Sequence, residues 1–102
     1  MDQALRAVAS DDLSTFTEAL WSMAMFGEPD ELDEVLDAAA AHAQGDEHWR
    51  SIAVAIEAAA ASRSVIPARA EAILARIPDG TLASDDRDGA REVIGNVRAS
   101  GQ

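Results

Sequence analysis

Apolar residues recur every three to four positions through most of the chain, the spacing of one face of an α-helix. Leu13, Phe16, Leu20 and Met23 form the first strong stripe. Ser10-Asp11-Asp12 precedes it and suits a helix N-terminus, where side-chain oxygens accept orphan N–H groups and acids complement the helix dipole. Gly27 suits its end. The spacing therefore predicts a helix over residues 11–26. Glu28-Pro29-Asp30 opens the next, because proline in a first turn loses no hydrogen bond. Leu32, Val35, Leu36, Ala39 and Ala43 are its apolar face, and Gln44-Gly45 closes it, giving 29–44. Trp49, Ile52 and Ile56 stripe a helix over 47–62 whose other positions are mostly alanine. Pro67 begins another over 67–77, with Ala70, Ile73, Leu74 and Ile77 inward, and Pro78-Asp79-Gly80 breaks it. Residues 79–85 read as a loop. Ala90, Val93, Ile94 and Val97 mark a last helix over 86–99, weakened by Gly89 and Gly95 at about 1 kcal/mol each relative to alanine. A short, weak helix over 2–9 completes the chain.

The expected fold is all-α: about five helices in one domain spanning 1–102, packed as antiparallel helical hairpins. The 47–62 helix is apolar nearly all round and belongs at the centre. Pro-x-x-[Leu/Ala]-x-x-[Val/Ile]-Leu occurs at Pro29–Leu36 and again at Pro67–Leu74. That offset, near 37 residues, falls in the range of about 34–47 seen in tetratricopeptide and HEAT hairpin repeats. The tetratricopeptide signature positions are missing, so a plain bundle of similar-length helices and a two-and-a-half-hairpin repeat both stay open.

Composition supports the helical reading. Alanine occurs 23 times, tyrosine and cysteine are absent, and all eight basic residues are arginine. Alanine is the best helix former, and the residues that favour strands are sparse. The lack of cysteine removes disulfides, thiolate nucleophiles and cysteine metal sites. No apolar run reaches the roughly 18 residues of a membrane span, so a cytoplasmic chain without membrane contact is expected.

Charge is unevenly placed. Residues 1–62 carry Arg6 and Arg50 against 13 acids, whereas residues 63–102 carry six arginines and six acids, so the whole net charge of −11 belongs to the first part. Such a chain repels phosphate backbones and anionic membranes, and attracts basic proteins. Asp30, Asp33, Glu34 and Asp37 fall within roughly 100° of one another, opposite the apolar face of their helix. With Glu28 and Glu31 they form a candidate partner-binding stripe. A second candidate interface is Trp21, Met25 and Phe26, which lie off the main apolar stripe of the 11–26 helix.

Motifs for catalysis are missing: there is no phosphate-binding glycine loop and no nucleophile elbow. No acid stands on an apolar face, where its pKa would rise. His42 and His48 bracket a helix-ending glycine, a spacing that matches no standard metal motif. Ser84–Gly89 has the first half of a calcium loop, but Gly95 replaces the closing glutamate, and a helix N-cap explains it better. Arg87, Arg91 and Arg98 align on the last helix beside Asp88 and Glu92, as a self-neutralised face would.

The expected function is a non-catalytic protein-binding module, without cofactor or metal, whose acidic helix engages a basic partner. Nuclease immunity proteins and other small helical inhibitors work on that principle. The chain is similar to them in size and composition only, and the paired tyrosines of the colicin type have no counterpart here. The alternative is a structural protein that self-associates or docks through Trp21, Met25 and Phe26. A homo-oligomer belongs to that alternative.

Overall fold

Stripes bounded by proline and glycine form helices in the computed structural model of this protein, which describes residues 2–62 and 66–100 apart from the side chains of Asp2 and Ser100. The helices are α1 (Asp2–Val8), α2 (Leu13–Phe26), α3 (Pro29–His42), α4 (Asp46–Ala61), α5 (Pro67–Leu74) and α6 (Leu82–Ser100). No strand occurs among the described residues. None of these helices is long and apolar enough to cross a membrane.

Helix packing follows the offset seen in the sequence. Among the described residues, α2 packs on α4 and α4 on α6, while α1 packs on α3 and α3 on α5. Even-numbered helices thus form one row and odd-numbered helices another, in a slab of 39 × 31 × 17 Å. Side-chain hydrogen bonds joining distant elements recur at sequence separations of 34 to 39. Thr17 bonds Ser51 (34 apart), Arg50 bonds Asp86 (36) and Arg69 bonds Asp33 (36). Asp46 bonds Ala83 (37) and Arg76 bonds Asp37 (39). Each is a contact between one hairpin and the next.

α4 is the central element. It packs against α2, α3, α5 and α6. Ile52, Ala53, Ala55, Ile56, Ala59 and Ala60 are all buried along it. Alanine lets the neighbouring helices approach closely, and the larger side chains of Phe16, Leu20, Leu36, Leu74 and Ile94 close the core around it.

Several helix boundaries depart from the spacing-based expectation by one to four residues, and three of them have a clear local reason. α2 starts at Leu13 because Asp12 is extended. The Asp12 carboxylate accepts the Thr15 hydroxyl at 2.6 Å, which holds its pKa below the ordinary value. α5 stops at Leu74, three residues early. The N–H groups of Arg76 and Ile77 bond carbonyls only three residues back, tightening the chain ahead of Pro78. α6 starts at Leu82 rather than 86. Gly80, at φ 76°, makes the preceding turn, and Thr81 Oγ1 accepts the Ser84 N–H at 3.2 Å. Asp46 Oδ1, from the start of α4, accepts the Ala83 N–H at 2.9 Å. Ser84–Gly89 is therefore helical, with none of the geometry of a calcium loop.

Gly27 ends α2 in an extended conformation, not a left-handed one. Glycine is needed there by close approach: a Cβ would stand 2.7 Å from the Met23 carbonyl oxygen. Gly27→Ala is expected to lower stability by about 1–2 kcal/mol, read from the urea midpoint. An unchanged midpoint would show that this turn yields freely.

Candidate functional site

The acidic stripe of α3 is only partly outward. α5 lies beside α3 in the odd row, and Arg69 and Arg76, two helical turns apart, meet it. Arg69 Nη1 donates to Asp33 Oδ2 at 3.4 Å and stands 3.8 Å from Asp30 Oδ1. Arg76 Nη1 donates to Asp37 Oδ1 at 3.1 Å. Asp33 is only 5% exposed, and its Oδ1 has no hydrogen-bond partner. Burial pushes its carboxyl pKa up, and the bond to Arg69 works against that rise. The expectation that Asp30, Asp33, Glu34 and Asp37 all face outward is thus corrected, as is the expectation that no acid sits among apolar residues. Asp33 is interior, while Asp30 and Asp37 are exposed but held by arginines. Exposed ion pairs of this kind are weak, about 0–1 kcal/mol.

Of the seven described arginines, six are spent within the fold, and Arg6 takes part in none of the ion pairs. Arg50 pairs with Asp86 at 2.9 Å, and Arg98 with Glu71 at 3.2 Å. Arg91 lies 3.8 Å from Asp88. Arg87 is nearly buried, contacting Asp79, Asp88 and the Ile77 carbonyl, so it pins the loop between α5 and α6. The alignment of Arg87, Arg91 and Arg98 along α6 consequently offers no open row of cations to a phosphate backbone.

What remains is negative. Among the described residues, Asp11, Asp12, Glu18, Glu28, Glu31, Glu34 and Glu47 take part in none of the ion pairs. Glu57, Asp85 and Glu92 are in the same state, further along the chain. Glu28, Glu31 and Glu34 lie within about 120° of one another on α3, on the side adjoining the paired aspartates.

The histidines do different things. His42 is exposed at the end of α3. His48 packs its ring 4.6 Å from Phe16, and its Nδ1 accepts the Gln44 N–H at 3.0 Å. That bond places the proton of the neutral ring on Nε2. No group of three or more His, Asp and Glu side chains among the described residues is arranged to hold a metal ion.

The apolar candidates lie at the surface, with Trp21 50%, Met25 46% and Phe26 86% exposed. The structure adds Val54, at 44%, and Leu82, at 64%, which sequence reasoning missed. The signal was present: Val54 stands two residues from both Ile52 and Ile56, about 200° from the buried stripe. Trp21 and Val54 face one groove between α2 and α4, lined also by Thr17, Arg50, Ser51 and Ala55. Thr17 and Trp21 also border a shallow hollow on α2 alone, with Leu13, Ser14 and Glu18. Leu13 in turn lines a separate depression with Asp11, Asp46, Glu47 and His48, where α2 and α4 begin. On α4, Glu47 stands seven residues before Val54 and so on the same face.

Fold and surface together define a small all-α module with an acidic face and an apolar groove. Comparison with known proteins returns no matching family model, no matching curated protein and no matching solved structure.

Proposed function

We propose that this chain is a non-catalytic protein-binding module that engages a basic partner, as an inhibitor or nucleic-acid mimic covering a cationic surface. One observation carries the reading. Among the described residues, Glu28, Glu31 and Glu34 along α3 and Asp11, Glu18 and Glu47 nearby take part in no ion pair, although Glu47 stands in the field of Arg50. Unpaired carboxylates on rigid helices steer a cationic surface at long range, and they do so less as salt screens them. The outer edge of the stripe carries this role. Its inner edge, Asp30, Asp33 and Asp37, is shared with Arg69 and Arg76.

Charge reversal belongs at Glu28, Glu31 and Glu34, since reversing Asp33 would break the fold instead. The triple Arg variant is expected to keep its helical circular dichroism. Affinity capture from source cells, then titration of the purified captured protein at two salt concentrations, tests the reading. A basic partner should bind the variant at least tenfold more weakly than the parent, and bind the parent more weakly at high salt. Equal affinity for both proteins, or a partner without a basic surface, defeats the reading.

Self-association is the second reading, favoured by the exposure of Trp21, Met25 and Phe26. A charge of −11 on each copy opposes it. Light scattering decides: a dilution-stable dimer that weakens on Phe26→Ala supports it, and a monomer removes it.

A further inference from the structure

We infer that the α2–α4 groove is the docking site for a basic amphipathic segment of a partner protein. The segment's large apolar side chain would lie on Trp21 and Val54, and its lysines or arginines against Glu47 and Asp11, where α2 and α4 begin. The inference rests on the proposed basic partner and adds a second contact, for one segment of it, to the one its cationic surface makes with the outer edge of the α3 stripe.

Charge complementarity selects this occupant. The groove floor at Thr17, Trp21, Val54 and Ala55 is nearly all apolar, and the Thr17 and Ser51 hydroxyls bond each other at 2.9 Å. One of the two donates, and the other keeps its own O–H for solvent or a ligand. Arg50, the cation on the wall, is matched by Asp86. Where α2 and α4 begin the surface turns acidic: Asp11 and Glu47 line a depression with Leu13, and among the described residues neither takes part in an ion pair, although Glu47 stands in the field of Arg50. Asp46, on the same stretch, has one oxygen engaged by the Ala83 N–H. Leu13 stands eight residues before Trp21 on α2, about 12 Å at 1.5 Å per residue. That reach matches an apolar anchor and basic groups one to two helical turns away. A second copy of this chain would bring further acids to the same end.

The test uses synthetic peptides. One carries leucines at helical spacing with lysines elsewhere, the second is a shuffle of identical composition, and the third has glutamate for every lysine. The patterned lysine peptide should shift tryptophan emission to the blue and bind at least tenfold more tightly than the shuffle. Val54→Asp should weaken it at least tenfold with circular dichroism unchanged. Trp21→Ala, followed by calorimetry, should do the same. The triple Arg variant at Glu28, Glu31 and Glu34 should stay within about threefold. If both lysine peptides bind equally and Val54→Asp has no effect, the groove is not the site, although the basic-partner reading stands. If neither lysine peptide binds, the groove inference is overturned, while the basic-partner reading stands or falls by the captured partner and the triple Arg variant. A dimer dissolved by Val54→Asp would give the groove to a second copy and overturn the inference.

Discussion

Phe16→Ala is expected to lower the unfolding free energy by about 3–5 kcal/mol, the usual range for emptying a buried phenylalanine site. Phe16 is fully buried on α2 and meets the His48 ring of α4. Because α4 also touches α3, α5 and α6, a cavity at this seam cannot be closed by moving one helix alone. A domain of this size has about 5–15 kcal/mol in total, so the variant should melt roughly 15 °C or more below the parent. Phe16→Leu keeps most of the volume and should cost about 1 kcal/mol. A shift under about 5 °C for the alanine variant would mean that α2 lies loosely on α4. The groove between them would then have no fixed floor.

The parts of the fold that were legible in the sequence are those decided within one helix. The stripes of Leu13–Met23, Leu32–Ala39 and Ile52–Ile56 were read from spacing alone and are buried as expected, except that Leu13 and Met23 are only half-buried. Trp21, Met25 and Phe26 were legible for the same reason, as apolar residues off the stripe. Features decided between helices were not legible. The early start of α6 depends on Asp46, which reaches the Ala83 N–H from 37 residues away. Asp33 shares its side of α3 with Asp30 and Asp37, and only the docking of α5 separates an interior carboxylate from two exposed ones. A helical wheel holds no information about which neighbour covers a polar face. The 37-residue offset between Pro29 and Pro67 was the one long-range signal. Read further, it pairs Arg69 and Arg76 with the acids of the previous hairpin.

Arg69→Ala is expected to cost about 2–3 kcal/mol at neutral pH, more than an exposed ion pair is worth. The reason is what it leaves behind: a buried Asp33 carboxylate with neither oxygen bonded to a protein donor. Asp33→Asn removes the charge and keeps an acceptor for Arg69, so it should equal or exceed the parent in stability. The double variant should recover most of the Arg69→Ala loss. The pH dependence has a definite sign. Asp33 is raised in the folded state, so folding binds a proton more tightly than the unfolded chain does. Its penalty is full above the raised value and relieved as pH falls through it toward the ordinary 3.8. The Arg69→Ala deficit should therefore shrink on acidification, and the parent should gain on Asp33→Asn across the same window. Asp12 titrates with the opposite sign, since its pKa is lowered, but it is common to every variant and cancels in the differences. Urea midpoints between about pH 7 and the ordinary carboxylate range read these differences. If Arg69→Ala matches the parent at every pH, Asp33 is solvated and the α3–α5 pairing does not hold the stripe. The whole row from Asp30 to Asp37 would then be open to a cationic partner, and the outer-edge reading would widen to include it.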